Sequence, residues 1–301
     1  MKKLFLLATA TAALMACSNN DEPVNNELIA ARITANINGA SDTRAAGTEW
    51  TSNDKIGVTC SSEGASYSNV EYITTNGDGN FATSTPFYFP DVNTEKSFTA
   101  YYPYKATSEM ENGVITGSTA AANQTSANQP DIDYLWADTK TATGGNPNVN
   151  FSFAHKMSKL TLKFQQGGDV ILSDMQKYKL SSLVLDGTFN TTNGMAAAKT
   201  DGTAGDLEMT VSDVSPDSNN EFSLILYPQE ISNGLILSVD VNDDLTYSCK
   251  LKVSKVDLTQ LEAGSNYSFT ITVSKAGLII TNSTISPWTA VSGDEGTAYP
   301  G

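Results

Sequence analysis

The feature that most constrains this chain is a period of two. From Leu28 to Asn38, Ile29, Ala31, Ile33, Ala35 and Ile37 fall on one side of an extended backbone, and Arg32, Thr34, Asn36 and Asn38 on the other. That is the alternation of a half-buried strand. The pattern returns at Lys55 to Ser61, Ser68 to Thr74, Ser97 to Tyr102, Asp133 to Ala137 and Val149 to Phe153, with Gly, Asn, Asp and Ser crowded between. In the second half, Leu160, Leu162 and Phe164 alternate with Lys and Thr, and "SSLVLDGTF" and "EFSLILYP" read as strands buried on both faces. Leu235 to Val253 reads as a hairpin turning at Asn242-Asp243-Asp244, and Tyr267, Phe269, Ile271 and Val273 close the series. Helical character is confined to short turns at Ser108 to Glu111 and Asp257 to Glu262. Such spacing predicts an all-β protein of the sandwich type.

With 301 residues and 40% hydrophobic content, the chain can build two cores. The composition shifts at "TATGGNPNVN", where Gly144, Gly145 and Pro147 mark a boundary near residue 150, giving domains 28–150 and 151–301. Two stretches without core residues, Thr116 to Asp131 and Asn190 to Asp206, are expected to be surface loops. The first seventeen residues are a targeting signal. Lys2 and Lys3 precede an apolar run from Leu4 to Leu14, and Leu14-Met15-Ala16-Cys17 resembles the lipobox of bacterial lipoproteins. Cleavage and acylation at Cys17 would leave residues 18–27 as a polar tether and the lipid as the membrane anchor. Asp21-Glu22 is similar to surface-export signals of such lipoproteins. Cys60 and Cys249 each sit on the apolar face of a strand, which favours buried thiols over the disulfide that an oxidising compartment would permit.

Charge and chemistry exclude several functions. With 33 Asp+Glu against 18 Lys+Arg and no basic cluster, the chain lacks the footprint of a nucleic-acid partner. The one histidine, His155, has no partner identifiable in sequence and is expected to be structural. No zinc ligand set can be assembled. Asp240 to Asp244 supplies three carboxylates but lacks the glycine and distal glutamate of an EF-hand, so no metal is expected there. "GGNPN" and "NGDGN" read as turns, not phosphate loops. No cofactor is implied, and an enzyme is not expected. Aromatic residues offer one binding possibility: Phe87 to Pro90 and Tyr101 to Tyr104 lie among rings that include Trp50 and Trp136, and Tyr101, Tyr102 and Trp136 could stack on sugars if exposed. Core packing is the competing role.

"TRAAGTEWTSNDKIGV", "SFTAYYPY", "DYLWADT", "VNFSFAHKMSKLTLKF", "LILYPQ" and "LEAGSNYSFTITVSKAGLIITNSTISPW" occur in the order and spacing of the fimbrillin family, the lipoprotein-derived pilins of type V pili. The resemblance spans Thr43 to Trp288. It implies two tandem transthyretin-like Greek-key sandwiches, outer-membrane export as a lipoprotein, and removal of the N-terminal strand by an Arg-specific protease. A strand from another pilus subunit then fills the vacated groove, and the fibre serves adhesion to a host or bacterial surface. Arg44, followed by Ala45, matches the family's cleavage position, which makes Ile29, Ala31, Ile33, Ala35 and Ile37 the anchors of a removable strand. Arg32, the only other arginine nearby, lies within that strand. Stalk fimbrillins carry an extra strand after the last strand of the second domain, and beyond Trp288 the tail offers no row of anchors. The expectation is a tip or minor subunit that accepts a strand. The alternative is a surface lipoprotein that binds glycans and does not polymerise.

Overall fold

The computed structural model describes residues 28–38, 49–61, 67–168, 172–211, 220–241 and 245–288. The signal segment, Cys17, the tether, Arg44, Ala45, the turn at 242–244 and the tail beyond Trp288 lie outside them. Regular structure among the described residues is almost entirely strand. The principal strands of the first half are β1 (Arg32–Ile37), β2 (Asp54–Cys60), β3 (Val70–Thr74), β4 (Asn80–Phe81), β5 (Lys96–Tyr102), β6 (Val114–Ser118), β7 (Leu135–Ala142) and β8 (Asn148–His155). Those of the second are β9 (Ser158–Gln166), β10 (Met175–Leu183), β11 (Asp186–Asn190), β12 (Met195–Ala198), β13 (Gly205–Thr210), β14 (Glu221–Leu226), β15 (Ile236–Val241), β16 (Leu245–Lys250), β17 (Ser265–Ser274) and β18 (Gly277–Pro287).

Seven strands of the first half form one sheet in the order β3-β2-β5-β7-β8-β1-β4. Its ends meet: Ile73 and Ala82 exchange backbone hydrogen bonds of 2.8 and 2.9 Å, so the sheet curls into a nearly closed barrel. Closure leaves few open edges and lets inward residues of every strand share one core, from Ala31 to Phe153. The second half is a two-layer sandwich, β14-β9-β17-β18 on β13-β10-β15-β16. Leu160, Leu162, Phe164, Phe269 and Ile271 of one layer meet Tyr178, Leu180, Leu237 and Val239 of the other in a core running from Leu160 to Val273. Each half places its first strand parallel beside a late strand, β1 with β8 and β9 with β17. The cores divide between Phe153 and Leu160.

A third sheet crosses that division. β6 pairs with β11, which pairs with β12, and Gly117 stands opposite Gly187. A Cβ on Gly117 would meet the hydroxyl oxygen of Tyr134 at 2.8 Å, and one on Gly187 the ring of Tyr227 at 2.5 Å, so both positions need glycine for backbone and rings to pack this closely. Around this sheet Tyr101, Ile115, Tyr134, Met157, Phe189, Tyr227 and Trp288 form a third cluster. Several expectations change here. Thr116 to Asp131 is not a surface loop: it completes β6 and then buries Thr119, Gln124 and Gln129. Asn190 to Asp206 likewise contains β12 and the start of β13, with Ala196 buried. "SSLVLDGTF" is divided between β10 and β11 in different sheets. Asp257 to Glu262 forms short β ladders rather than a helical turn, because Leu258 and Leu261 are drawn into the core.

Candidate assembly interface

β1 is bonded on both flanks. Along one side it runs parallel to β8, from Arg32 opposite Asn148 to Ile37 opposite Phe153, and the bonds Arg32 N–H to Pro147 O (2.9 Å) and Asn38 N–H to Phe153 O (2.7 Å) close the ladder. Along the other it meets three short pieces of chain. Ile29 and Ala30 pair with Phe89 and Tyr88, Ala31 N–H donates to Phe87 O at 2.8 Å, and Ile33 and Thr34 pair with Phe81 and Asn80. Ala35 N–H reaches Gly79 O at 2.9 Å. Gly79 has φ +77°, and a Cβ there would lie 2.5 Å from Ala35 O, so only glycine lets this loop lie so tightly on the strand. Ala31, Ile33, Ala35 and Ile37 are buried, Ile29 is half-buried, and Arg32 projects to solvent while its backbone stays in the ladder. An open groove of about 500 Å³ flanks the strand where residues 82–86 loop away, lined by Arg32, Thr34, Tyr72, Pro86 and Asn148.

The aromatic residues considered for sugar stacking are packing residues. Tyr101 is 3% exposed, and its hydroxyl donates to Asn69 Oδ1 (2.7 Å) or Lys105 O (3.0 Å). Burial pushes its phenol up to about 12. Tyr102 is buried with its hydroxyl on Asp54 Oδ1 at 3.2 Å, and burial, then the Asp54 charge, raise its pKa further. Trp136 is half-buried under the turn joining β11 to β12, its Nε1–H donating to Thr191 O at 3.2 Å and the Lys156 ammonium 5.3 Å from its ring centre. A row of exposed rings therefore does not form. For Tyr101 and Trp136 the cause is the crossing sheet, and for Tyr102 the first core, neither of which a local pattern can show.

His155 belongs to the junction. Its Nδ1–H donates to Asp133 Oδ1 at 2.9 Å, with both side chains buried, and its ring lies parallel to Trp288, centroids 3.9 Å apart at 6°. Lys159 places its ammonium 5.8 Å from the same indole, and burial holds that lysine below its ordinary pKa despite the charge of Asp133. Cys60 lies in the first core and Cys249 against the second, and no disulfide joins them. Asp240 accepts a hydrogen bond from Thr246 Oγ1 at 2.7 Å. Among the described residues no group of three His, Cys, Asp or Glu could hold a metal.

The strand series does not close at Val273. β18 follows as an eleven-residue edge strand, paired antiparallel to β17 from Ser274 opposite Gly277 to Ser265 opposite Pro287. Its sequence, GLIITNSTISP, carries no charge, and Ile279 and Ile285 are 56% and 50% exposed. Alternation hid it because none of its side chains is fully buried, so neither face reads as a core face.

Residues 43–288 match the model of the fimbrillin-like family. A protein of Bacteroides uniformis provisionally named fimbrium subunit Fim1C is 28% identical over 312 residues, spanning 97% of each chain. A crystal structure provisionally described as a cell adhesion protein from Bacteroides ovatus superposes with a TM-score of 0.73 at 31% identity, covering 88% of this chain and 99% of that one. A counterpart from Bacteroides uniformis has a TM-score of 0.66 at 26% identity, covering 86% and 98%.

Proposed function

The chain belongs to the fimbrillin-like family of fimbrial, cell-surface subunits, and from that premise we propose that it enters a pilus by exchanging β1 for a strand of a neighbouring subunit. The observation that carries this is the setting of β1: bonded on both flanks, with its inward residues buried, yet joined to β2 through the segment that holds Arg44. Loss of β1 would unpair backbone groups on both sides at about 1 to 3 kcal/mol for each that stays buried. Each emptied aliphatic pocket adds roughly 1.5 to 3 kcal/mol. A cut subunit thus gains by accepting a replacement strand, which is β-augmentation.

β18 changes the other half of the proposal. The expectation of a tip or minor subunit rests on the tail beyond Trp288, which lies outside the described residues; β18, an uncharged strand between β17 and that tail, supplies a different candidate donor. An extra, uncharged strand after β17 is what the resemblance assigns to donors, so the geometry favours a subunit that both accepts and donates. The two cores correspond in this reading to two domains meeting near residue 150, and acylation at Cys17 brings the precursor to the outer membrane. Capture of glycans through Tyr101, Tyr102 and Trp136 has no exposed ring row to act through.

The chain contains two arginines, Arg32 and Arg44. Limited digestion of the precursor with an Arg-specific protease is expected to give one early cut, after Arg44; first cleavage at Arg32, or resistance at Arg44, would overturn the acceptor role. A synthetic peptide of Gly277–Pro287 should then bind the cut protein and not the intact one, and equal binding to both excludes donation by this strand.

A further inference from the structure

β18 is laddered to β17 along its whole length, but its side chains are at most half-buried until its end, where one is firmly anchored. Leu278, Ile280 and Ser283 are half-buried, whereas Trp288, the residue after the strand, is 5% exposed and donates its backbone N–H to Gly264 O at 2.6 Å. Its indole lies flat on His155, the last residue of β8. His155 in turn is set by the end of β8, where it pairs with Leu135 of β7. Asp133 holds its Nδ1, while Nε2 is buried without a hydrogen-bond partner. β8 pairs with β7 only over Phe153–His155, and with β1 over Asn148–Phe153. The strand that presents His155 to Trp288 therefore has β1 as its ladder partner for most of its length. The last bond of that ladder, Asn38 N–H to Phe153 O, lies two residues from His155.

We propose that the His155–Trp288 stack couples the two ends of the assembly reaction, so that β18 is retained while β1 fills its slot and is released once β1 leaves. With β1 present, β8 is laddered from Asn148 to His155, first to β1 and then to β7, and His155 is fixed against the indole. Without it, Asn148–Ser152 lose their ladder, His155 is held by the short pairing with β7, the adjoining Lys156 N–H to Tyr134 O bond (2.8 Å) and its bond to Asp133, and the stack that pins the end of β18 loosens. A subunit would then offer its donor only after its own acceptor slot has been opened, which guards against premature polymerisation. His155, Asp133 and Trp288 act here as positioning residues. The proposal rests on the acceptor role of the β1 slot.

Hydrogen exchange on the full precursor tests it, before and after cleavage at Arg44 and displacement of β1. Exchange within Gly277–Pro287 is expected to accelerate by roughly tenfold or more on displacement, while β9 and β17 keep their protection. In the uncut protein, Trp288→Ala should reproduce that acceleration with β9 and β17 again protected. His155→Phe, which keeps a ring under the indole but loses Asp133, should give an intermediate rate. If β1 is displaced and β18 exchange does not change, the coupling is wrong and the acceptor role stands. If Arg44 is not cut, the acceptor role fails, and unaltered β18 exchange in Trp288→Ala then rejects the latch independently.

Discussion

The indole nitrogen of Trp50 donates to Ala35 O at 2.8 Å, and its ring meets Phe81, Tyr102 and Phe153 edge-on at 5.1, 5.5 and 5.3 Å. This one side chain thus grips the backbone of β1 and packs against three strands of its sheet. Trp50→Phe keeps most of the packing and loses the bond, so a stability loss of about 1 kcal/mol is expected. Trp50→Ala should cost about 3 to 5 kcal/mol. Urea unfolding monitored by circular dichroism measures both. Equal losses would mean that the hydrogen bond, not the ring, holds the strand. The inward residues of β1 were legible in sequence because alternation is a local property of an extended chain. The places of Tyr101, Tyr102 and Trp136 were not, since what covers a ring is decided by segments distant in sequence: β6, β11 and β12 for Tyr101 and Trp136, and Trp50 for Tyr102.

At the scale of the element, the most instructive segment is the one after β6. Its Ala, Asn, Gln and Thr read as a solvated loop, yet it lies along the open side of β14. Gln124 accepts Ile225 N–H at 3.0 Å and donates to Ile225 O at 2.7 Å, and Gln129 donates to Ser223 O at 2.7 Å. A primary amide presents a carbonyl and an N–H side by side, as a peptide does, so Gln124 pairs with the strand much as a neighbouring strand would. An edge that could recruit another chain is covered in this way. β13 guards its edge by charge, with Asp206 and Glu208 paired to Lys179 and Lys177, and β18 has neither device. Replacing Gln124 and Gln129 together with Ala should uncover buried backbone groups at roughly 1 to 3 kcal/mol each. The double variant should associate with rising concentration in sedimentation velocity, whereas a monomer of unchanged stability would show that the glutamines do not protect the edge. Composition concealed this role because the amide that makes glutamine look like loop material also fits it to a strand edge.

Over the whole molecule, the strands with a regular buried face were legible in sequence, while β6, β12, β18 and the surfaces that join the strands were not. Closure of the first sheet through Ile73 and Ala82, and the pairing of β6 with β11, link segments whose local patterns carry no mark of one another. The buried tyrosines make the integrity of this arrangement measurable. Burial raises the phenols of Tyr102 in the first core, Tyr178 in the second, and Tyr101, Tyr134 and Tyr227 at the junction, that of Tyr101 to about 12. Unfolded, each would ionise near 10. Between those values the native state keeps protons that the unfolded state has lost, so stability falls as pH rises. The contribution is complete below pH 10 and is lost as pH climbs through the native values. The formal net charge of −15 at pH 7 grows more negative over the same range and adds repulsion. Alkaline titration should therefore show tyrosinate absorbance from the buried rings appearing together with loss of near-ultraviolet circular dichroism. If most of the phenols ionised while that signal stayed native, the rings would be in contact with water and the closed barrel and crossing sheet would be wrong. A variant that opens only the junction, such as Gly187→Val against the ring of Tyr227, should bring forward the ionisation of Tyr101, Tyr134 and Tyr227 and leave Tyr102 and Tyr178 titrating with global unfolding.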